Sequence, residues 1–351
     1  MNDKNSIIDQ RPTTNDQRPT TNDPIHVALA VYDPKGTYSQ HAGVTITSIF
    51  ENTKSKVIVH LLHDETLTED NKRKFIRTAE KYNQTIKFID VSEYVMQFSD
   101  EFIRLSGKYT IGTTYRLFIP EIITDIERII YLDCDILVGI DIKELWDIDL
   151  EDKTLAGAVD FPGQRFNSSI CRQKMRIILN GCRPETYINA GVLLINLNRI
   201  RKHGSLFQIG TEWILRRGKM ALAPDQDALN SIFRNEIKII DSRFNQNVLK
   251  LDMSNCIMHT LWGKAWSSFR GLYSDSMYWK MYLRSAWGEN TTPDELIDIL
   301  NNKAKPKKAQ PLKRLKRYFL GVVPIRAVRY VLMDIYYRLR YRFTLLIHRH
   351  S

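Results

Sequence analysis

Residues 128–138 read RIIYLDCDILV, so two aspartates, Asp133 and Asp135, follow directly on an apolar run. Side chains two positions apart on an extended chain point the same way, and two such carboxylates can bind one divalent cation that also binds phosphate oxygens. The alternative is a solvated turn. It leaves unexplained why two carboxylates end a hydrophobic strand, where their mutual repulsion is unfavourable without a cation. The segment therefore predicts a divalent metal site.

The elements that would position these carboxylates are short apolar runs that alternate with amphipathic stretches. The pattern predicts strands at residues 25–32, 56–63, 85–91, 128–132, 154–159 and 191–197. Residues 66–82 have apolar side chains at helical spacing, and Thr66 or Thr68 is expected to cap that helix. Alternating strands and helices indicate an α/β fold with a mainly parallel sheet flanked by helices. Ligands bind beyond the carboxyl ends of strands in such sheets.

The composition agrees with a globular protein of this class. The chain has 351 residues, of which 43% are hydrophobic and 26% charged, which suits one large α/β domain or two modest ones. Its four cysteines show no CxxC pairing, which argues against a zinc ribbon and against a secreted disulfide framework. A reducing compartment is the simplest interpretation.

The net charge of +11 is concentrated at one end of the chain. Residues 303–351 hold 14 lysines and arginines and one acid, Asp334, for a net charge of +13, which leaves −2 for residues 1–302. A nearly neutral body argues against nucleic acid as the partner, because nucleic-acid binding depends on neutralising phosphates with basic side chains.

The N-terminal segment contains a perfect tandem repeat. Residues 10–16 and 17–23 both read QRPTTND, and residues 1–24 offer almost no apolar side chains to bury, which predicts a disordered leader, with a docking peptide as the alternative. The chain has neither a run of about 18 apolar residues nor the pattern of a signal peptide at its start. We therefore expect a protein that is synthesised and kept in the cytosol.

Five motifs together make the chain similar to a known family. They are TTYRL at residues 113–117, IIYLDCDILV at 129–138, YINAGVLLINL at 187–197, PDQDALN at 224–230 and SRFN at 242–245. In this order they resemble glycosyltransferase family 8, and especially its bacterial lipopolysaccharide and lipooligosaccharide galactosyl- and glucosyltransferases. The resemblance implies a GT-A fold, a UDP-hexose donor, Mn²⁺ with Mg²⁺ as the alternative, and transfer with retention at the anomeric carbon.

The resemblance also implies a third metal ligand. His259, in CIMHT at residues 256–260, matches the family histidine that binds the cation beside Asp133 and Asp135. An imidazole next to two carboxylates suits Mn²⁺ better than an all-oxygen site would. Without the resemblance, a lone histidine is more often structural than a ligand. A cation there would stabilise negative charge on the departing pyrophosphate and orient the donor.

Six further positions match residues that hold the nucleotide sugar in the family. They are Tyr32, Asp33, Arg116, Cys134, Asp160 and Asn189. Tyr32 and Asp33 lie at the end of the first strand, which approaches the uracil in the family, and the guanidinium of Arg116 offers a planar fork to donor oxygens. A surface salt bridge is the alternative for Arg116. Asp160 and Asn189 match contacts to the transferred sugar, although Asn189 could instead satisfy backbone groups beside its strand.

Asp225 and Gln226, in the PDQD segment, match the sugar-binding acid and the amide on the anomeric face. Glutamine is a poor nucleophile, so a covalent double displacement through Gln226 lacks a persuasive carrier. We therefore expect attack by the acceptor on the same face as departure, with a departing phosphate oxygen taking the proton and Gln226 supporting the positive sugar centre. A helix N-terminus capped by Asp225 is the alternative, and both interpretations can hold together.

The loop after His259 departs from the family pattern. The family usually has His-x-x-Gly-x-x-Lys-Pro-Trp, whereas this chain reads HTLWGKAW at residues 259–266, one residue shorter and without proline. Gly263 and Lys264 are expected to approach the diphosphate, the glycine by close backbone contact and the lysine as a point charge. Trp262 and Trp266 either stack on sugar faces or pack beneath the loop.

The sequence thus predicts four segments. Residues 1–24 form the leader, 25–290 the GT-A domain, 291–311 a linker, and 312–351 a basic amphipathic helical tail that suits an anionic membrane surface. A solvated helix packed on the domain and RNA binding are the alternatives for the tail. The predicted protein is a cytoplasmic enzyme on the inner face of the cell membrane that transfers galactose or glucose from a UDP-sugar to a bacterial surface glycan or lipid-linked acceptor. A protein or polysaccharide-primer glucosyltransferase and a non-enzymatic RNA-associated protein are the competing predictions.

Overall fold

The computed structural model describes residues 23–304 apart from 107–110, 161–174, 176, 222, 248–254, 262–263, 268 and 270–271. The predictions for the leader repeat and for the basic tail at 312–351 lie outside the described residues.

Ten described strands form two sheets. They are β1 Ile25–Val31, β2 Val57–His63, β3 Thr85–Asp90, β4 Arg128–Leu132, β5 Ile136–Val138, β6 Leu155–Gly157, β7 Val192–Asn196, β8 Ile237–Ile239, β9 Gln246–Asn247 and β10 Ile257–His259. The large sheet has the order β3-β2-β1-β4-β7-β6-β8, and all its pairs are parallel except those of β7 with β4 and β6. The predicted α/β fold with a mainly parallel sheet is confirmed.

Helices cover the large sheet on both faces. They are α1 Ser39–Asn52, α2 Glu69–Lys81, α3 Ser92–Val95, α4 Asp100–Ser106, α5 Ile119–Ile122, α6 Lys143–Trp146, α7 Leu197–Lys202, α8 Leu206–Arg217, α9 Pro224–Ile232, α10 Tyr273–Arg284 and α11 Pro293–Ala304, with 3₁₀ helices at Ile111–Phe118, Gly218–Met220 and Ser242–Asn245. Thr68 caps α2 by accepting a hydrogen bond from the Asn71 amide. Thr66 instead bonds to Asp64 and to the Asp33 amide, which joins the ends of β2 and β1.

The reversed direction of β7 decides which residues share the functional edge of the sheet. Leu132 at the end of β4 lies opposite Val192 at the start of β7, and the Asp133 amide donates to the Gly191 carbonyl over 2.9 Å. Residues that precede an antiparallel strand lie at the same edge as residues that follow the parallel ones. The segment before β7 therefore meets the aspartates that follow β4.

The small sheet brings a distant histidine to the same place. β10 runs antiparallel to β5 with His259 opposite Ile136, which places His259 beside Asp135. Thr45 on α1 donates to the carbonyls of Cys134 (3.0 Å) and Ile136 (2.8 Å). The turn between β4 and β5 is thus one of the covalent links between the two sheets, and Thr45 of α1 holds it from behind.

The predicted linker at 291–311 is wrong over residues 293–304, which form α11. Its start is a capping box, in which Thr292 accepts from the Glu295 amide (3.2 Å) and Glu295 accepts from the Thr292 amide (2.8 Å). Pro293 begins the helix and Lys303 lies in its last turn. Leu296, Ile299 and Leu300 on this helix pack against the core cluster of α10, so the segment is part of the domain.

Trp287 links the C-terminal helices to α2 and, through Asn71, to the loop after β1. Its indole packs edge-on against Phe75 at 4.8 Å between ring centroids and donates to the Asn71 amide oxygen over 3.1 Å. Asn71 in turn donates to the Asp33 carboxylate and to the Gly36 carbonyl in the loop after β1. A Cβ atom built on Gly43 of α1 would lie 2.3 Å from the indole, so Trp287 fits only against a glycine.

We expect Trp287→Ala to lower the free energy of unfolding by about 3 kcal/mol, because a large ring leaves a cavity between α1 and α2. Gly43→Ala should cost about 1–3 kcal/mol in the wild-type background through overpacking. In the Trp287→Ala background the same change should be neutral or stabilising, because alanine is the better helix former. Urea denaturation of the four proteins measures this, and equal effects of Gly43→Ala in both backgrounds would contradict the contact.

Candidate active site

Three side chains from the two sheets converge where β4 ends. The His259 Nε2 atom lies 3.2 Å from Asp135 Oδ1 and 3.9 Å from Asp133 Oδ2. One ligand atom from each of the three residues lies within 4.8 Å of the others. The three atoms therefore form a set that can hold one divalent cation, as the spacing of the two aspartates predicts.

The imidazole is prepared for metal binding by its surroundings. Burial lowers the pKa of His259, against the opposing effect of Asp133, which favours the neutral ring. Its Nδ1 atom lies 2.9 Å from Asn245 Oδ1, which leaves Nε2 directed at the two carboxylates. Two carboxylates and a neutral imidazole are a donor set that fits Mn²⁺.

Gly191 leaves the space that this cluster needs. A Cβ atom at this position would lie 2.3 Å from His259 Cε1 and 2.8 Å from Asp133 Oδ2. Any larger residue would therefore push a ligand side chain out of place. Position 191 therefore needs glycine for the space that it leaves beside the cluster.

Arg116 is a buried bridge, and the alternative of a surface salt bridge does not hold. Its side chain is 4% exposed and packs 4.3 Å above the Tyr131 ring. Its guanidinium contacts Asp133 Oδ1 at 2.7 Å and Asp225 Oδ2 at 3.1 Å, and it also donates to the Ala190 carbonyl. Arg116 thus joins the aspartate turn to the start of α9 and to the segment before β7, and it compensates two carboxylates at once.

The N-terminal end of α9 carries Asp225 and Gln226. Asp225 is not the N-cap of this helix, as the alternative supposed, because the N-cap residue is Ala223; the Asp225 carboxylate contacts Arg116, and Asp227 accepts from the Ala223 amide over 3.2 Å. Burial raises the pKa of Asp225, and Arg116 opposes that rise. The Gln226 amide oxygen accepts from the Ala190 amide over 3.0 Å.

Asp160, after β6, and Asn189, before β7, meet Gln226. The Asp160 carboxylate accepts from the Asn189 amide group (2.9 Å) and from Gln226 Nε2 (3.1 Å), and burial raises its pKa against these bonds. Gln226 Nε2 also donates to the Tyr187 hydroxyl over 3.1 Å. Asn189 additionally accepts from the Gly191 amide, so it both supports the backbone and contacts Asp160.

Lys264 lies beside the metal-ligand cluster. Its ammonium contacts Asp135 Oδ2, and burial lowers the pKa of Lys264 to about 8. Trp266 stacks on His41 with 3.9 Å between ring centroids, which favours packing beneath the loop over stacking on a sugar. Gly263 and Trp262 lie outside the described residues.

This geometry agrees with the comparisons to known proteins. The family model described as Glycosyl transferase family 8 matches residues 30–260. The chain belongs to glycosyl transferase family 8. The predicted family membership is therefore confirmed.

Curated relatives of this family 8 protein include a putative glycosyltransferase from Haemophilus influenzae, 30% identical over 212 residues that cover 59% of this chain and 60% of the relative. Lipopolysaccharide 1,2-glucosyltransferase from Escherichia coli is 26% identical over 216 residues, which cover 59% of each chain. The similarity thus spans about 60% of the length of these two relatives.

Solved structures confirm the predicted GT-A fold. The galactosyltransferase LgtC, in complex with donor and acceptor sugar analogues, aligns with a TM-score of 0.62 at 25% identity, covering 79% of this chain and all of LgtC. The bifunctional glycosyltransferase WbbM aligns with the same TM-score of 0.62 at 15% identity, covering 81% of this chain and 53% of WbbM. The second likeness concerns the fold alone.

Three predicted donor-binding residues of the family 8 domain have side chains that bond to or pack against other residues of the domain. Asp33 is 1% exposed, and its carboxylate accepts from the amides of Tyr38 (2.7 Å) and Ser39 (2.9 Å) at the start of α1. Cys134 is buried and its thiol donates to the Ala30 carbonyl. Tyr32 packs against the core beneath the sheet edge. Their contacts to a nucleotide stay predictions, and the exposed aromatic ring of this loop is that of Tyr38, at 38%.

Sequence reasoning missed three residues that shape the site. Gly191 is required by space, Tyr187 connects Gln226 to Asp227, and Asn245 bonds to the metal-directed histidine. All three lie in motifs that carry the family resemblance. Their positions in those motifs were the available signal, but the contacts depend on strand register.

Among the described residues, every helix is too short or too polar to cross a bilayer.

We expect Gly191→Ala to weaken Mn²⁺ binding by about tenfold or more, because the added methyl displaces His259 or Asp133. The matched control is Gly210→Ala on α8, where a Cβ atom would meet only Leu117, at 3.3 Å. The electron paramagnetic resonance signal of free Mn²⁺ measures the affinity. A folded Gly191→Ala protein with wild-type affinity would show that the three ligand atoms do not act together.

Proposed function

We propose that this glycosyltransferase is a Mn²⁺-dependent hexosyltransferase that moves galactose or glucose from a UDP-sugar with retention at the anomeric carbon. The observation that carries the proposal is the convergence of Asp133, Asp135 and His259 beside the ammonium of Lys264. A cation held there, with a lysine next to it, is an arrangement for binding and stabilising a diphosphate. Mg²⁺ is the alternative cation.

The metal, when bound, would supply Lewis-acid stabilisation of the charge that develops on the leaving diphosphate. The chain's own residues orient the rest of the donor. Lys264 offers a charge to the phosphates, and Asp160, Asn189 and Asp225 offer carboxylate and amide groups to the sugar hydroxyls. We place the base near the loop after β1, where the exposed ring of Tyr38 provides a surface for stacking.

The hydrogen bonds of Gln226 favour a supporting role over a nucleophilic one. Its oxygen already accepts from the Ala190 amide, and its nitrogen donates to Asp160 and to Tyr187. An amide oxygen engaged in this way is an even weaker nucleophile. We therefore propose same-face attack by the acceptor, with the proton passing to a departing phosphate oxygen and the Gln226 dipole stabilising the positive sugar centre.

A bacterial surface glycan or a lipid-linked precursor is the acceptor that we propose. The Escherichia coli relative is named for its action on lipopolysaccharide, and LgtC is a galactosyltransferase. A protein or polysaccharide primer is the alternative acceptor. The family membership favours an enzyme, and no contact among the described residues favours the RNA-associated alternative.

We expect Asp133→Asn to abolish the Mn²⁺ dependence of UDP binding, because the substitution removes one anionic ligand. Isothermal titration of UDP with and without Mn²⁺ measures this dependence. Asp147→Asn is the matched control, since that carboxylate is exposed and bonded to Lys143. Binding of UDP to the wild type that is equally tight without metal would refute the proposed function.

The donor should be identifiable by slow hydrolysis. We expect the wild type to release UDP from UDP-galactose or UDP-glucose in the presence of Mn²⁺ and to lose this activity when the metal is chelated. Release of UDP from neither sugar, in a protein that binds Mn²⁺ and UDP, would contradict the hexose donor. Membrane glycolipid extracts then serve as acceptors with the donor that is hydrolysed.

We also propose that the protein is cytoplasmic and that residues 312–351 attach it to the inner face of the cell membrane. Lys303 donates to the Trp266 carbonyl over 2.5 Å, so a truncation should keep α11 whole. Deleting residues 305–351 should abolish sedimentation with vesicles that contain anionic lipid and leave donor hydrolysis within about twofold, since the tail basic residues supply the attraction. Unchanged sedimentation of the truncated protein would contradict this attachment.

A further inference from the structure

A chain of hydrogen bonds runs from the backbone before β7 to the metal-directed histidine. The Gly191 amide donates to Asn189 Oδ1 over 2.9 Å, and Asn245 Nδ2 donates to the same oxygen over 2.9 Å. Asn245 Oδ1 then lies 2.9 Å from His259 Nδ1. These links connect the large sheet to the small one behind the cluster of Asp133, Asp135 and His259.

The direction of every bond in this chain follows from one group that can only donate. A backbone N–H has no acceptor function, so the atom of Asn189 that meets Gly191 must be its oxygen. The atom of Asn245 that meets this oxygen must then be its nitrogen. The oxygen of Asn245 is therefore the atom that faces the imidazole, and it can only accept, so His259 Nδ1 carries a proton and Nε2 is the ring nitrogen left for a cation.

We infer that Asn245 is a positioning residue of the metal site, which fixes His259 in the tautomer whose Nε2 lone pair faces Asp133 and Asp135. A metal ligand of this kind needs its other ring nitrogen bonded to an acceptor, which sets both the tautomer and the ring orientation. Asn189 also connects Asn245 to a residue that we propose binds the sugar, because the Asn189 amide group donates to Asp160. This inference rests on the proposed metal site for its functional meaning.

The local structure explains why Asn245 can do this. It is the last residue of the 3₁₀ helix Ser242–Asn245 and directly precedes β9, which pairs in parallel with β10. Phe244 beside it is buried in the main core. The backbone at Asn245 is thus held on both sides, so that a substitution of its side chain changes the bond to His259 with little effect on the fold.

The first test reads the tautomer directly in the metal-free full-length protein. With ¹⁵N-labelled histidine, the wild type should show His259 with a proton on Nδ1, and His259→Gln assigns the resonances. Asn245→Leu removes the acceptor and should shift His259 toward the other tautomer. Asn245→Asp keeps an acceptor and should keep the wild-type tautomer. An unchanged tautomer in Asn245→Leu would overturn the inference.

The second test measures Mn²⁺ affinity from the paramagnetic resonance of the free ion. Asn245→Leu should weaken binding by about 10- to 100-fold. The matched control is Asn52→Leu, which removes a side-chain bond to the Val138 carbonyl in the same small sheet without touching the cluster and should leave the affinity unchanged. Equal affinities of the wild type and Asn245→Leu would also overturn the inference.

The two readouts separate this inference from the proposed function. A wild type that does not bind Mn²⁺, but whose tautomer follows the variants as expected, would refute the proposed metal dependence and leave the role of Asn245 intact. If circular dichroism shows that Asn245→Leu is unfolded, Asn245→Asp and Asn189→Leu carry the test. Asn189→Leu frees the Asn245 amide to rotate, so a wild-type tautomer of His259 in that variant would overturn the inference.

Discussion

The structure depends on compensating negative charge at one edge of one sheet. Asp133, Asp135, Asp160 and Asp225 all lie there, largely out of water, and such a group is unfavourable unless each carboxylate meets a cation or a donor. Arg116 serves two of them, Lys264 a third, and the amides of Asn189 and Gln226 the fourth. In the proposed reaction, the same carboxylates would also face a bound cation and the positive sugar centre.

The reversed strand β7 makes this compensation geometrically available. Were β7 parallel, the segment that contains Asn189 and Gly191 would lie at the opposite edge of the sheet, some 15 Å away for a five-residue strand. Because it is antiparallel, its leading residues contribute a carbonyl to Arg116, an amide to Gln226 and free space to His259. The antiparallel direction of β7 thus brings residues 189–191 to the centre of the site.

The sequence predicted the fold class and the two aspartates from local patterns, and His259 from its match to a family motif. Asp133 and Asp135 follow an apolar strand, His259 ends another, and the motif order indicates the family. Contacts set by register could not be predicted in this way, as Asn245 shows, since its partner is 14 residues further along the chain and in another strand. The capping box of Thr292 and Glu295 is a sequence signal for the start of α11, which the predicted linker at 291–311 does not take into account.

The turn from Asp133 to Asp135 has a mechanical consequence. It is the seam between two sheets, with Asp133 on the side of the large sheet and Asp135 and His259 on the side of the small one. An ion that takes ligands from both sides would hold the two sheets together at this turn. The proposed binding of a cation and a nucleotide would therefore be coupled to the position of β9 and β10, which form the small sheet with β5.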